Sequence, residues 1–178
     1  AGSEQDGLTG ASEDMFIGAT WVLCPTSSTD GVAFASVREM AVSLGAYAIA
    51  IPADRHDMLV AVVSHVPHLT AATLMRLADG RAVEHRALLR LAAGGFRDMT
   101  RIAAGHPAIW PDIFPENADA IVDVLPELRE ELGQVRDAIP DRDRDGLLEP
   151  LPAARIARRN LPTTVSAPDQ IPPVRVPV

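Results

Sequence analysis

The chain has no lysine: all 16 of its basic residues are arginine, against 24 carboxylates, and the formal net charge is -8. No basic run interrupts its body, which excludes the cationic face that phosphate binding requires and, with it, a nucleic-acid partner. Cysteine is nearly absent as well. Cys24 stands alone, so no intrachain disulfide can form and a reducing compartment is expected. No apolar stretch approaches the length of a bilayer span and no signal peptide is visible, so a cytoplasmic protein without membrane contact is expected. Aromatic residues make up only 4% of the chain, whereas apolar residues reach 47%. The core therefore has to be assembled from aliphatic side chains. The length of 178 residues allows one domain with a real core and not two large ones. The first residue is Ala1 and not methionine, and A-G-S-E-Q-D-G reads as the inside of a loop, so a piece of something longer is expected.

What is present organises itself along the chain. T-W-V-L-C-P, between Phe16 and Pro25, and the apolar run Ala46 to Pro52 read as short strands able to pair at an edge. Between them Val32 to Leu44 carries a helical stripe that Gly45 can stop. From Asp54 to Leu77 the pattern is helical and apolar on several faces, which marks a covered helix. Pro67 removes an amide donor and crowds the carbonyl of Val63, so a kink is predicted between His65 and His68, with Asp79-Gly80 ending the run. Helices are further predicted over Val83 to Ala92, Phe96 to Ala104 and about Glu116 to Ile139, the last with Ile121, Val124, Leu125, Leu128, Leu132 and Val135 at core spacing and a bend at Pro126. Residues 140–178 hold eight of the fifteen prolines and read as a linker or tail, with 1–139 as the domain proper.

Two short stretches concentrate the polar groups. H-D-M-L-V-A-V-V-S-H-V-P-H runs from His56 to His68, and F-R-D-M-T-R-I-A-A-G-H-P-A-I-W from Phe96 to Trp110. Such groups are costly in an aliphatic helical body unless they meet partners or a ligand. On a regular helix His65 and His68 share a face while His56 lies about half a revolution from His65, at ~100° per residue. A plain structural role fits each histidine singly: His56-Asp57 as a helix-start cap, the others as satisfied core or interface groups. Asp98 and Arg101 are helical neighbours, either an ordinary surface pair or a carboxylate orienting a guanidinium fork toward a substrate carboxylate. Trp110 is a core or interface anchor whose indole N–H can also reach a ligand. Two other readings stand beside a substrate site. A His-Asp pair followed by further histidines fits a metal-dependent phosphohydrolase of the HD type. A helical interaction module without catalysis is the other.

In this order, H-D-x-x-x-A-x-x-S-H-x-P-H (His56 to His68), G-G-F-R-D-x-T-R-I-A (Gly94 to Ala103) and D-I-F-x-x-N (Asp112 to Asn117) resemble the prephenate dehydrogenases of tyrosine biosynthesis. Ala1-Gly2-Ser3-Glu4 is similar to that family's A-G-[ST]-E segment and W-V-L-C-P to its short strand, so the likeness covers about residues 1 to 138. It implies a mainly α fold, a helical dimerisation domain of the 6-phosphogluconate dehydrogenase C-terminal-like type, with a small β element near the N-terminus. It implies oxidative decarboxylation of prephenate to 4-hydroxyphenylpyruvate, with hydride passing to NAD or NADP; the amino counterpart arogenate stays open as the substrate. By the same likeness Arg101 binds a substrate carboxylate, and His65 and His68 line the pocket. Trp110 reaches the pocket from the dimer side, and Asp98 and Glu4 belong to an ionic network gating it. The family's catalytic histidine precedes the Ala-Gly at which this chain begins, and its Gly-rich cofactor turn is absent, so the polypeptide alone is expected to be inactive. A homodimer, tyrosine as an inhibitor and a tyrosine-sensing ACT domain after I-P-P-V-R-V-P-V are further expectations of the resemblance. No metal is expected.

Overall fold

The computed structural model describes residues 10–161. They fall into two compact units, one of 10–15 with 53–121 and the other of 16–52 with 122–161. Glu4 and its segment, like the closing I-P-P-V-R-V-P-V, lie outside the described residues.

In the second unit β1 (Thr20–Leu23), α1 (Gly31–Ser43) and β2 (Tyr47–Ala50) form a β-α-β unit. The strands pair in parallel, Thr20 opposite Tyr47 and Leu23 opposite Ala50. Parallel neighbours need a crossover connection, and α1 supplies it. Asp30 opens α1 by accepting from the Ala33 amide at 2.8 Å, which satisfies one of the donors a helix start leaves unpaired. Gly45 then turns the chain at φ +82°, where a Cβ would stand 3.2 Å from Ile17 Cγ1. The expected small sheet is present, with Ala41 and Ala46 buried.

The same unit holds most of α6 (Ala118–Ala138), then α7 (Arg144–Leu148) and α8 (Pro150–Asn160). Proline content predicts a linker or tail from 140, yet residues 144–160 are helical. The Asp143 carboxylate caps α7 by accepting from the Gly146 amide at 3.0 Å. Pro150 and Pro152 fall in the first turn of α8, where a missing amide donor costs nothing. The core spacing read into α6 is fulfilled at Ile121, which is buried, whereas Leu125, Leu132 and Val135 are exposed in the single chain. α6 runs through Pro126 without a break.

The first unit is built on one 30-residue helix, Ala53–Ala82. It consists of α2 (Ala53–Val60), a π-helical turn (Ala61–His65) and α3 (Val66–Ala82). The predicted disturbance at Pro67 is this turn. Widening the helix just before the proline lets the Val66 amide reach the Ala61 carbonyl and makes room for a ring that blocks the regular ladder. Gly80 lies inside α3 and does not end it at Asp79-Gly80; helical glycine costs about 1 kcal/mol but stops a helix only where the backbone turns left-handed. In place of a helix over Val83 to Ala92 there is a 3-10 turn, Leu88–Leu91. No Ser, Thr, Asp or Asn stands between Val83 and Ala93 to cap a new helix.

α4 (Gly94–Thr100) begins two residues earlier than predicted and tightens into a 3-10 turn at Arg101–Ala104. A second such turn (Pro107–Ile109) leads into α5 (Trp110–Glu116). α3 packs against α4 and against the turns at 88–91 and 101–104. Helix Ala53–Ala82 is long and apolar enough to cross a membrane, which corrects the expectation that no stretch reaches that length. Its histidines and Pro67 divide the apolar pattern in the sequence, while the π turn keeps the backbone continuous.

Candidate functional site

The site assembles where α2, the π turn and α3 meet α5 and the start of α6. His68 is buried at 9% exposure and lies flat on Trp110, ring centroids 3.6 Å apart and planes 17° from parallel. The His65 ring meets the same indole edge-on at 6.4 Å and 84°. Phe114, one turn after Trp110 on α5, closes the stack at 5.0 Å from the indole and 6.5 Å from His68. Such contacts contribute about 1 kcal/mol each beyond their burial. Two imidazoles and an indole are thus brought together within one chain. The resemblance implies that Trp110 arrives from the dimer side; within the single chain it stacks on His68 of the same chain.

Asn117, between α5 and α6, ties the cluster to the helix. Its Nδ2 donates to the Asp57 carbonyl at 2.9 Å and lies 3.1 Å from His65 Nδ1. The motif D-I-F-x-x-N contains this residue, but nothing in its spacing announces a bond to a histidine 52 positions away. His56 Nδ1 lies 2.9 Å from the carboxylate of Asp57. The pair sits in the second turn of α2 and is not a helix-start cap. A π turn takes more residues per revolution, so it draws His56 back toward His65, and the half-revolution expected on a regular helix does not hold. Burial lowers the His65 pKa, the positive character of His56 lowers it further, and Asp57 opposes both. Burial lowers that of His68. With pKa values held below the ordinary 6.5, both rings are mainly neutral near pH 7.

Arg101 is exposed at the head of the 3-10 turn that packs on α3. Asp98 is exposed one turn earlier on α4. Thr100 returns its hydroxyl to the Phe96 carbonyl, and His106 caps the next turn through the Ala108 amide. Arg101 therefore shares a supporting helix with His68. Among the described residues no group of three or more His, Cys, Asp or Glu side chains is placed to hold a metal ion, and the HD phosphohydrolase reading finds no support.

A nicotinamide dinucleotide does not fit these residues. Among the described residues the one β-α-β unit has its helix start capped by the Asp30 carboxylate, where a pyrophosphate would meet negative charge.

Residues 52–153 match the family model described as prephenate dehydrogenase, dimerization domain. The chain belongs to that family. It is 33% identical to a prephenate dehydrogenase of Bacillus subtilis over 91% of its own length and 44% of the relative's. It is 34% identical to a cyclohexadienyl dehydrogenase of Zymomonas mobilis, covering 92% of this chain and 56% of that one. Among solved structures, prephenate dehydrogenase from A. aeolicus in complex with hydroxyphenyl propionate and NAD+ superposes with a TM-score of 0.82 at 27% identity, over 90% of this chain and 56% of that one. An arogenate dehydrogenase from Synechocystis gives 0.74 at 29% identity, over 86% of this chain and 56% of that one. The chain spans about half the length of these relatives. The mainly helical fold with a small sheet near the N-terminus is the one the resemblance implies.

Proposed function

We propose that this chain is the dimerisation and substrate-binding part of a prephenate dehydrogenase, which oxidatively decarboxylates prephenate to 4-hydroxyphenylpyruvate in tyrosine biosynthesis. Arogenate is the alternative substrate. The observation that carries this reading is the His68–Trp110 stack, flanked by His65 and Phe114, inside a domain of this family. It offers a planar apolar surface for a six-membered ring beside neutral imidazole donors.

In this reading Arg101 grips a substrate carboxylate with two parallel N–H bonds, and His65 and His68 line the cavity. Asp98 and Glu4 belong to the ionic network that gates it. NAD or NADP, which accepts the hydride when bound, is held outside residues 1–178, so the chain alone does not turn over. Residues 1–139 serve as the functional domain. Tyrosine acts as an inhibitor. The exposed aliphatic face of helix Ala53–Ala82 is covered by a second copy in a cytoplasmic homodimer. A bilayer is the poorer cover, because it would have to accept His65, His68 and the Asp57 end of the helix as well.

Substituting Arg101 with lysine keeps the charge and loses the fork. In the intact enzyme this is expected to raise KM for prephenate about tenfold with cofactor affinity unchanged. Unaltered steady-state kinetics for Arg101→Lys would remove the assigned role.

A further inference from the structure

The Asp57 carbonyl can only accept, so the side-chain nitrogen of Asn117, and not its oxygen, must face it at 2.9 Å. That same nitrogen lies 3.1 Å from His65 Nδ1. Two donors cannot face each other, so Nδ1 carries the lone pair and the ring proton sits on Nε2. Nε2 has no hydrogen-bond partner among the described residues. No buried side-chain nitrogen or oxygen there lacks a partner, so Nε2 reaches accessible surface.

We infer that Asn117 is a positioning residue: anchored on the Asp57 carbonyl, it holds His65 as the neutral Nε2–H tautomer and so presents one N–H donor for an acceptor oxygen of the substrate. This rests on the proposed prephenate reading for the identity of that oxygen, a carboxylate or keto oxygen. The tautomer assignment itself does not. Free imidazoles in water already favour Nε2–H, so the device works by degree and by orientation: it suppresses both the other tautomer and ring rotation. His56 and Asp57 are the titratable groups acting on the ring; the amide is the one group hydrogen-bonded to it among the described residues. The Trp110 indole, nearly perpendicular to the ring, makes a further contact with it.

The test is long-range 1H–15N correlation of imidazole nitrogens on the 15N-labelled 178-residue chain, above the ordinary imidazole pKa, with His65 identified by the loss of its signals in His65→Gln. The expected result is a single Nε2–H tautomer for His65, and a shift toward Nδ1–H in Asn117→Asp, which replaces the donor with an acceptor. A His65 ring in the Nδ1–H form, or a tautomer identical in Asn117→Asp and the parent chain, would overturn the inference. The parent spectrum alone decides the first point, so a variant that fails to fold leaves the inference exposed to refutation. In the intact enzyme Asn117→Asp is expected to raise KM for prephenate about tenfold with kcat retained. A fixed tautomer in a protein that does not bind prephenate would sink the functional reading and leave the tautomer assignment standing; normal KM in a variant whose tautomer has inverted would sink the substrate role of the Nε2 donor.

Discussion

The two faces of helix Ala53–Ala82 invert the usual arrangement. Toward α5 and Asn117 it buries polar groups: His68 is 9% exposed, and His65 is tied to Asn117. On its other side Val63 is 72% exposed, Met58 59% and Val62 54%. A helix that shelters imidazoles and shows aliphatics to solvent is not optimised as a free-standing element. The polar side is held by specific partners within the chain, whereas the apolar side stays exposed among the described residues.

The sharpest way to break this contrast is to charge the apolar side. Val62→Asp with Val63→Asp is expected to weaken self-association about a hundredfold, leaving the fold of each chain intact because both positions are exposed. Sedimentation equilibrium reads this directly; unchanged association would show that the face is not the interface. On the polar side, Trp110→Ala removes the surface on which His68 lies and is expected to cost about 2 kcal/mol in urea unfolding, with the far-UV spectrum retained. A loss within the scatter of ordinary surface substitutions would demote the stack to a surface contact.

The smallest effect is that of pH. His65 and His68 both have pKa values lowered from 6.5 in the folded chain, so the unfolded chain binds more protons as pH falls through that value. Their contribution is complete above 6.5 and is lost progressively below it. The urea midpoint should therefore drop on acidification in this range, and His68→Gln should flatten part of the slope. A midpoint that rises toward pH 5 would contradict the neutral assignment.

Much of the polar side is legible in the chain. Histidines three apart around a proline, and an indole behind the G-H-P turn, stand out in an aliphatic background; that the indole meets both rings within one chain is what the structure adds. Asn117 is not legible in the same way, because its bond to His65 spans 52 positions and depends on how α5 meets α6. The errors along the chain share a cause. Gly80, Pro150 and Pro152 look like punctuation in the sequence, yet a glycine at negative φ continues a helix and a proline in the first turn begins one. Burial along α6 was equally hidden: spacing identifies an apolar face, and only a partner decides whether that face is covered.

The π turn at Ala61–His65 carries a consequence for how this segment tolerates change in length. Loss of a single residue there would restore an ordinary helical ladder and rotate everything upstream by about 100°, carrying the Asp57 carbonyl away from the amide that grips it. Conservative exchanges at the exposed Val62 and Val63 leave that phase untouched. The stretch behaves like a vernier, tolerant at its outward aliphatic teeth and strict about their number.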